Sequence, residues 1–352
     1  MQESQIKNHT RLLIDNNLSI SVFRITALWA FSESAFGGIL HALSIPFKGI
    51  FLSSAAVLFI SLIAVFSGSK KEVLKATLIV IIIKALVSPH SPFMTYLSVI
   101  FQGSFGFFLF SSKRFYKIPA IILGTLALLF SGFQKIILLT ILFGDTLWKS
   151  IDVFVRQVSN EFLNFGHSTS LNYGYLFAGL YVLIHLAAGI LIGFYASKLP
   201  DKILHFSKQL PENILQDDEI IFSQQKRKRK RWFLKPTGLM IFILSILLII
   251  YSYFSPSFTH IKSIEILIMI LRSLVLTLVW YFIFSPIVNK FFSKFLSSKK
   301  TVYAQEIDKI LNLFPKFKRV VTYSWKESFN NKKLSRILPF ISNSFYYLLL
   351  MK

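Results

Sequence analysis

Apolar runs of about 20 residues recur along this chain, and that is the length a helix needs to cross roughly 30 Å of hydrocarbon. They lie near 18–43, 49–67, 73–88, 92–112, 118–143, 174–196, 237–254 and 264–286. A single run of this kind fits a buried helix of a large soluble protein; eight in succession within 352 residues do not. The predicted fold class is all-α, a polytopic integral membrane helix bundle of about eight transmembrane helices. Arg24 and Glu33 interrupt the first run, so it is predicted to be a span rather than a cleaved signal segment.

The composition agrees with the runs. Only 16% of residues are charged, against about 25% in soluble domains, and the mean hydropathy is +0.59. The formal net charge of +23 fits either nucleic acid or the positive flanks of membrane spans. Its placement decides between them. Lys7 and Arg11 precede the first run; Lys70, Lys71 and Lys75, then Lys113, Arg114 and Lys117, then the Lys226–Arg231 run and the tail fall on alternate connections. The other connections are poor or mixed in charge: Ser88–Pro92 has no Lys or Arg, 144–173 mixes Asp145, Asp152 and Glu161 with Lys149 and Arg156, and 255–263 has only Lys262. The positive-inside rule then predicts a multi-pass protein of the inner (cytoplasmic) membrane with both termini inside. Membrane lipids, and not nucleic acid, are the partners this pattern implies.

Residues 198–236 change character, with Pro200, Pro211, the acidic Asp217, Asp218 and Glu219, and then six consecutive cations. This divides the chain into a six-span module (1–197), a basic cytoplasmic linker (198–236) and a two-span module with cytoplasmic amphipathic helices (237–352). In the last of these, Ile307, Ile310, Leu311 and Phe314 recur at helical spacing. Pro315 is expected to kink or restart that helix. Leu334–Met351 is broken by Arg336, Pro339, Ser342 and Asn343, which favours an interfacial helix over a ninth span.

Ionisable and amide groups inside the spans are the candidate site, because such groups are costly in a bilayer and mark functional paths. In the first span Ala30, Ser34 and Gly38 form a small-residue stripe for close helix packing. Glu33, Gly37 and His41 share an adjacent face, which would set the carboxylate and the imidazole about 12 Å apart along the axis. Lys84, His90 and Gln102 complete the expected solute contacts; Gln134, Lys135 and His185 are further polar intrusions. For Lys84 and Lys135 the competing readings are an ion pair with Glu33 or snorkelling to the interface. For His185 the competing reading is a hydrogen-bonded helix contact. The seven histidines are scattered with no two at ligand spacing, so neither a metal nor another cofactor is predicted. No P-loop, nucleophile elbow or His-Glu-x-x-His is present in the sequence, and no catalytic residue is assigned.

Six spans with a small-residue stripe on the first, a basic linker and a second membrane module resemble an energy-coupling factor transporter, with a substrate-binding S-component joined to part of a T-component. Leu234-Lys235-Pro236-Thr237-Gly238-Leu239 resembles the Asp-Pro-Arg-Thr-Lys-Leu opening of T-components. Ile270-Leu271-Arg272-Ser273-Leu274 followed by Phe284-Ser285-Pro286 resembles their Ala-Leu-Arg-Leu-Leu span ending in Thr-Ser-Pro, and Leu311-Asn312-Leu313-Phe314-Pro315 resembles Leu-Arg-Phe-Ile-Pro. Their Ala-Arg-Gly motif has only Ser335-Arg336-Ile337 as a substitute. The resemblance implies uptake of a small, vitamin- or cofactor-precursor-like solute, with Arg272, Pro315, Arg319 and Arg336 on a coupling surface for cytoplasmic ABC-type ATPase subunits. Two other readings stand beside it: a membrane-embedded enzyme acting on lipid or polyprenyl carriers, and a structural membrane partner without ligand. The last predicts that Glu33 and His41 simply pair with Lys84 or another span.

Overall fold

The computed structural model describes residues 22–42, 47–67, 69–88, 91–111, 116–163, 172–207, 263–328 and 336–350. The expected span at 237–254, the Lys226–Arg231 run, the Leu234–Leu239 segment and His90 lie outside the described residues. Among those described, every element is a helix. The first is α1 (Val22–Phe31), which passes through a wider π-turn (π1, Ser32–Phe36) into α2 (Gly37–Ala42). Then follow α3 (Lys48–Ser67), α4 (Lys70–Val87), α5 (Phe93–Leu109), α6 (Lys117–Phe143), α7 (Asp145–Leu163) and α8 (Tyr173–Ser207). After the undescribed stretch come α9 (Ser263–Val279), a second π-turn (π2, Trp280–Phe284), α10 (Ser285–Val302), α11 (Ala304–Glu327) and α12 (Ile337–Leu350).

Three helices, α3, α6 and α8, are long and apolar enough to cross a membrane. Their 20, 27 and 35 residues correspond to about 30, 40 and 52 Å. Ile122, Phe133, Ile137 and Ile141 on α6 and Leu180, Leu183 and Leu191 on α8 are exposed. Apolar surface of this extent is the mark of membrane association.

Close backbone approach explains how α6 and α8 pack where they meet. A methyl group at Gly124 would lie 2.5 Å from the carbonyl oxygen of Gly189 and 2.9 Å from the α-carbon of Gly193; one at Gly193 would lie 2.6 Å from the α-carbon of Ile121. Gly189-x-x-x-Gly193 is thus a small-residue face of the kind that joins membrane helices. One turn before Gly189 on α8, the His185 ring lies against Gly132 of α6.

The described residues fall into two units by contact. One comprises those of Met1–Lys135, Leu180–Leu215 and Val288–Lys352, the other those of Ile136–Gly179 and Gln216–Ile287. In the first unit α1 and α4 are central: Ile25, Trp29, Ala30, Val80, Ile82 and Ile83 are buried nearly completely. The amphipathic α11 lays Ile307, Ile310 and Phe317 onto this core, with Phe314 and Phe317 edge-on to Phe31 at 5.2 and 5.8 Å. Contact therefore joins the C-terminal helices to the N-terminal ones within this unit. Lys75 pairs with Glu306 at 3.3 Å, and Tyr96 meets Phe292 at 4.8 Å.

In four places the described helices go beyond what the sequence pattern suggests. The 144–173 connection holds a 19-residue helix, α7, rather than a loop, because Leu147, Ile151, Phe154 and Val158 keep helical spacing among the charges. The helix α8 continues past the expected span end near 196, through Pro200 to Ser207. Ala196, Leu199 and Ile203 extend its buried face, and Phe206 stacks on Tyr346 at 4.4 Å. The path begun by α9 likewise runs on to Val302, past the expected end at 286. Finally, α11 passes through Pro315 without restarting, and Pro315 itself is exposed. The described part of α12 has 14 residues, fewer than a helix needs to cross a bilayer.

Replacing Gly189 by Leu should cost about 1–3 kcal/mol, because the atoms in the way are backbone and cannot swing aside. Gly38→Ala should be neutral or stabilising by up to about 1 kcal/mol, since a methyl group there meets nothing within 4 Å. Thermal unfolding of the detergent-solubilised variants, followed by tryptophan fluorescence, checks both.

Candidate functional site

The site starts with two serines that flank an acid inside an apolar helix. Ser32 donates its hydroxyl to the Trp29 carbonyl at 2.9 Å, and Ser34 donates to Ala30 at 2.5 Å. Serine hydroxyls turned back onto the helix compete with its own hydrogen bonds and locally distort it. The π-turn sits at this point, and the Gly37 amide donates to the Ser32 carbonyl five residues back. The wider turn offsets the helix beyond it from the helix before it. This is the reason the expected stripes do not continue: Ala30 and Ser34 are buried, whereas Gly38 is exposed. The same offset breaks the register between positions 33 and 41. His41 lies in α2, with its side chain outside the described residues.

Glu33 is carried by this turn into the core, where Lys84 Nζ lies 2.7 Å from its Oε2. The side chains are only 4% and 3% exposed. Lys84 occupies the last turn of α4, where the helix dipole favours a cation. Its ammonium also lies 5.7 Å from the centre of the Tyr96 ring on α5, within reach of a cation–π attraction. The sequence left Glu33 a choice of two lysines. Lys84 takes it, while Lys135 is exposed.

Gln102 is buried on α5 and donates from Nε2 to Ser53 on α3 at 3.0 Å, and its Oε1 has no hydrogen-bond partner among the described residues. Trp29, one turn before Glu33, likewise has a buried Nε1 without a partner. Buried groups in this condition call for water or a ligand. Gln134 is fully employed as a tie between α6 and α5: it donates to the Met94 carbonyl at 2.9 Å and accepts from Ser98 at 2.8 Å. His185 is fully buried, with Nδ1 2.9 Å from the Tyr181 carbonyl of its own helix, and its Nε2 has no hydrogen-bond partner among the described residues. The Ser91 amide donates to the Ser88 carbonyl at 3.0 Å.

Of the expected coupling residues, Arg272 belongs to the second unit and Pro315, Arg319 and Arg336 to the first. Arg272 is exposed on α9, with Nη1 placed 2.7 Å from where a methyl group on Gly144 would be. Gly144 has φ +72°, the left-handed region that ends α6. Pro315 is exposed on α11, Arg319 is half-buried with no hydrogen-bond partner for its Nε among the described residues, and Arg336 stands in the turn before α12. Among the described residues no group of three or more His, Cys, Asp or Glu is placed to hold a metal ion. The sequence reading missed Tyr96, Ser53 and the serine-driven π-turn. Ser32-Glu33-Ser34 inside an apolar run is the signal that would have pointed to the turn.

Removing one partner of a buried ion pair leaves an uncompensated charge, which costs about 3–5 kcal/mol. Lys84→Met and Glu33→Leu are each expected to lose stability on that scale. The Glu33→Leu/Lys84→Met double variant should recover most of it. Thermal unfolding of the three proteins checks the cycle.

Comparison with known proteins found no family model, no curated protein and no solved structure that matches this chain.

Proposed function

We propose that the chain is a multi-pass protein of the inner membrane, of about eight spans with both termini inside, that takes up a small solute. The Glu33–Lys84 pair carries this reading. An ion pair with both side chains almost fully buried adds little net stability over apolar residues of the same volume, and intramembrane ionisable pairs mark transport paths by default. Two further groups support it: the unpartnered Oε1 of Gln102 and Nε1 of Trp29 supply a buried acceptor and a buried donor. In this proposal the solute is held by Glu33, Lys84 and Gln102, with His41 and His90 expected from the sequence. The resemblance to energy-coupling factor transporters adds a coupling surface that includes Arg272, Pro315, Arg319 and Arg336 and, as partners, cytoplasmic ATPase subunits.

One observation favours a second reading, a structural membrane partner without ligand. Glu33 and Lys84 already satisfy each other at 2.7 Å, as that reading predicts.

Mass spectrometry of compounds released by heating the purified protein separates the two. Transport predicts a small molecule that co-purifies with the wild type, is lost in Gln102→Leu, and is taken up more slowly by Glu33→Ala. A protein that releases nothing, and whose Glu33→Ala variant leaves uptake unchanged, is a structural partner.

A further inference from the structure

The helix α7 has no role in the solute reading, and its placement is informative. Its residues Asp145, Trp148, Asp152 and Arg156 all meet the first turn of α8. The Tyr175 hydroxyl donates to Asp145 Oδ1. The Tyr173 amide donates to Asp152 Oδ1 at 2.7 Å, and the Arg156 guanidinium lies 5.2 Å from the Tyr173 ring centre. A methyl group on Gly174 would strike the Trp148 carbonyl. These residues of α7 span about 16 Å of its axis, whereas Tyr173 to Tyr175 span about 3 Å of α8. Helices lying side by side would share contacts along both axes. So α7 crosses the end of α8 steeply. Its other end is fixed too: α7 begins directly after Gly144, where α6 stops, and Trp148 Nε1 donates to Thr140 on α6 at 3.1 Å. It therefore lies at the level where one long apolar helix ends and another begins.

The helix is two-faced. Leu147, Ile151, Phe154, Val155 and Val158 share about a third of its circumference at 100° per residue, and Phe154 and Val158 are 61% and 38% exposed. On the opposite side the charges pair within the helix, Lys149 with Asp145 at 3.0 Å and Arg156 with Asp152 at 2.9 Å. Burial pushes the Asp152 carboxyl up, but the hydrogen bonds from Arg156 and the Tyr173 amide outweigh it and hold the group below the ordinary carboxylate range. The face has no cationic surplus to attract anionic lipid.

We propose that α7 is an interfacial helix, lying on the bilayer surface with the Phe154–Val158 edge set into the boundary between headgroups and acyl chains, and held there by apolar burial rather than by lipid charge. The proposal rests on the reading of α6 and α8 as membrane-crossing helices. The chain has no cysteine, so single cysteines can be introduced and labelled with an environment-sensitive fluorophore in the full-length protein. Phe154→Cys and Val158→Cys are tested in phosphatidylcholine vesicles, beside Asn160→Cys on the polar side and Ile137→Cys on α6. Labels at 154 and 158 should be quenched by lipid carrying a nitroxide near the headgroup, more than by lipid carrying it near the chain end. They should be protected from iodide, and unchanged when anionic phosphatidylglycerol is added. The label at 160 should show the reverse accessibility. Labels at 154 and 158 that iodide reaches, or that neither quencher reaches because protein covers them, overturn the proposal while a lipid-quenched Ile137 label keeps the membrane reading. An Ile137 label insensitive to lipid overturns both.

Discussion

A charge in an apolar interior has to be met by its opposite, and in this chain the meeting of Lys84 with Glu33 governs how the first unit is arranged. The pair joins positions 51 residues apart, so it fixes α4 against the turn that follows α1. Glu33 gains its place through the distortion at Ser32 and Ser34, and Lys84 through its position in the last turn of its helix. Tyr96 then brings α5 against the ammonium, and Phe292 packs on Tyr96 at 4.8 Å, so α10 is drawn into the same assembly. Each contact lowers the exposure of the two charges. The lower that exposure, the larger the penalty for separating them.

The helical class was legible because length and hydropathy act locally, whatever the tertiary arrangement. What could not be read from the sequence lay where one local signal concealed another. In α7 the charges of Asp145, Lys149, Asp152 and Arg156 drew attention away from the spacing of Leu147, Ile151, Phe154 and Val158, yet both patterns belong to one amphipathic helix. In α8, Lys198 and Pro200 look like an ending; the buried Leu199 and Ile203 show that packing outweighs the missing hydrogen bond. The site was half legible. An acid and a lysine in apolar runs announce a pair, but partner choice depends on the helix arrangement, which brings Lys84 and not Lys135 to Glu33. The register beyond Glu33 was misread for a different reason: it assumed 3.6 residues per turn through a segment whose serines favour a wider one.

The small residues teach the same distinction. Ala30, Ser34 and Gly38 have the right spacing, yet the third of them is exposed; Gly189 and Gly193 have the same spacing and lie against the backbone of α6. Spacing states which residues share a face on a regular helix. Whether that face meets another helix depends on what the neighbouring chain offers, here the matching Gly124.

A closed ion pair also constrains any solute that would use it. Separating the partners without replacing them costs about 3–5 kcal/mol, which lowers an affinity by roughly 10²- to 10⁴-fold. A neutral solute bound only by hydrogen bonds to Gln102 or Trp29 would leave the pair intact and sit beside it. An anion offered to Lys84 would strand the Glu33 carboxylate, unless a proton or a cationic group arrived with it. In the transport proposal, therefore, the solute that exploits this site fully either carries charges of both signs or binds together with a proton. The same requirement would keep the site shut when solute is absent, because the pair re-forms across 2.7 Å in an interior from which water is almost excluded.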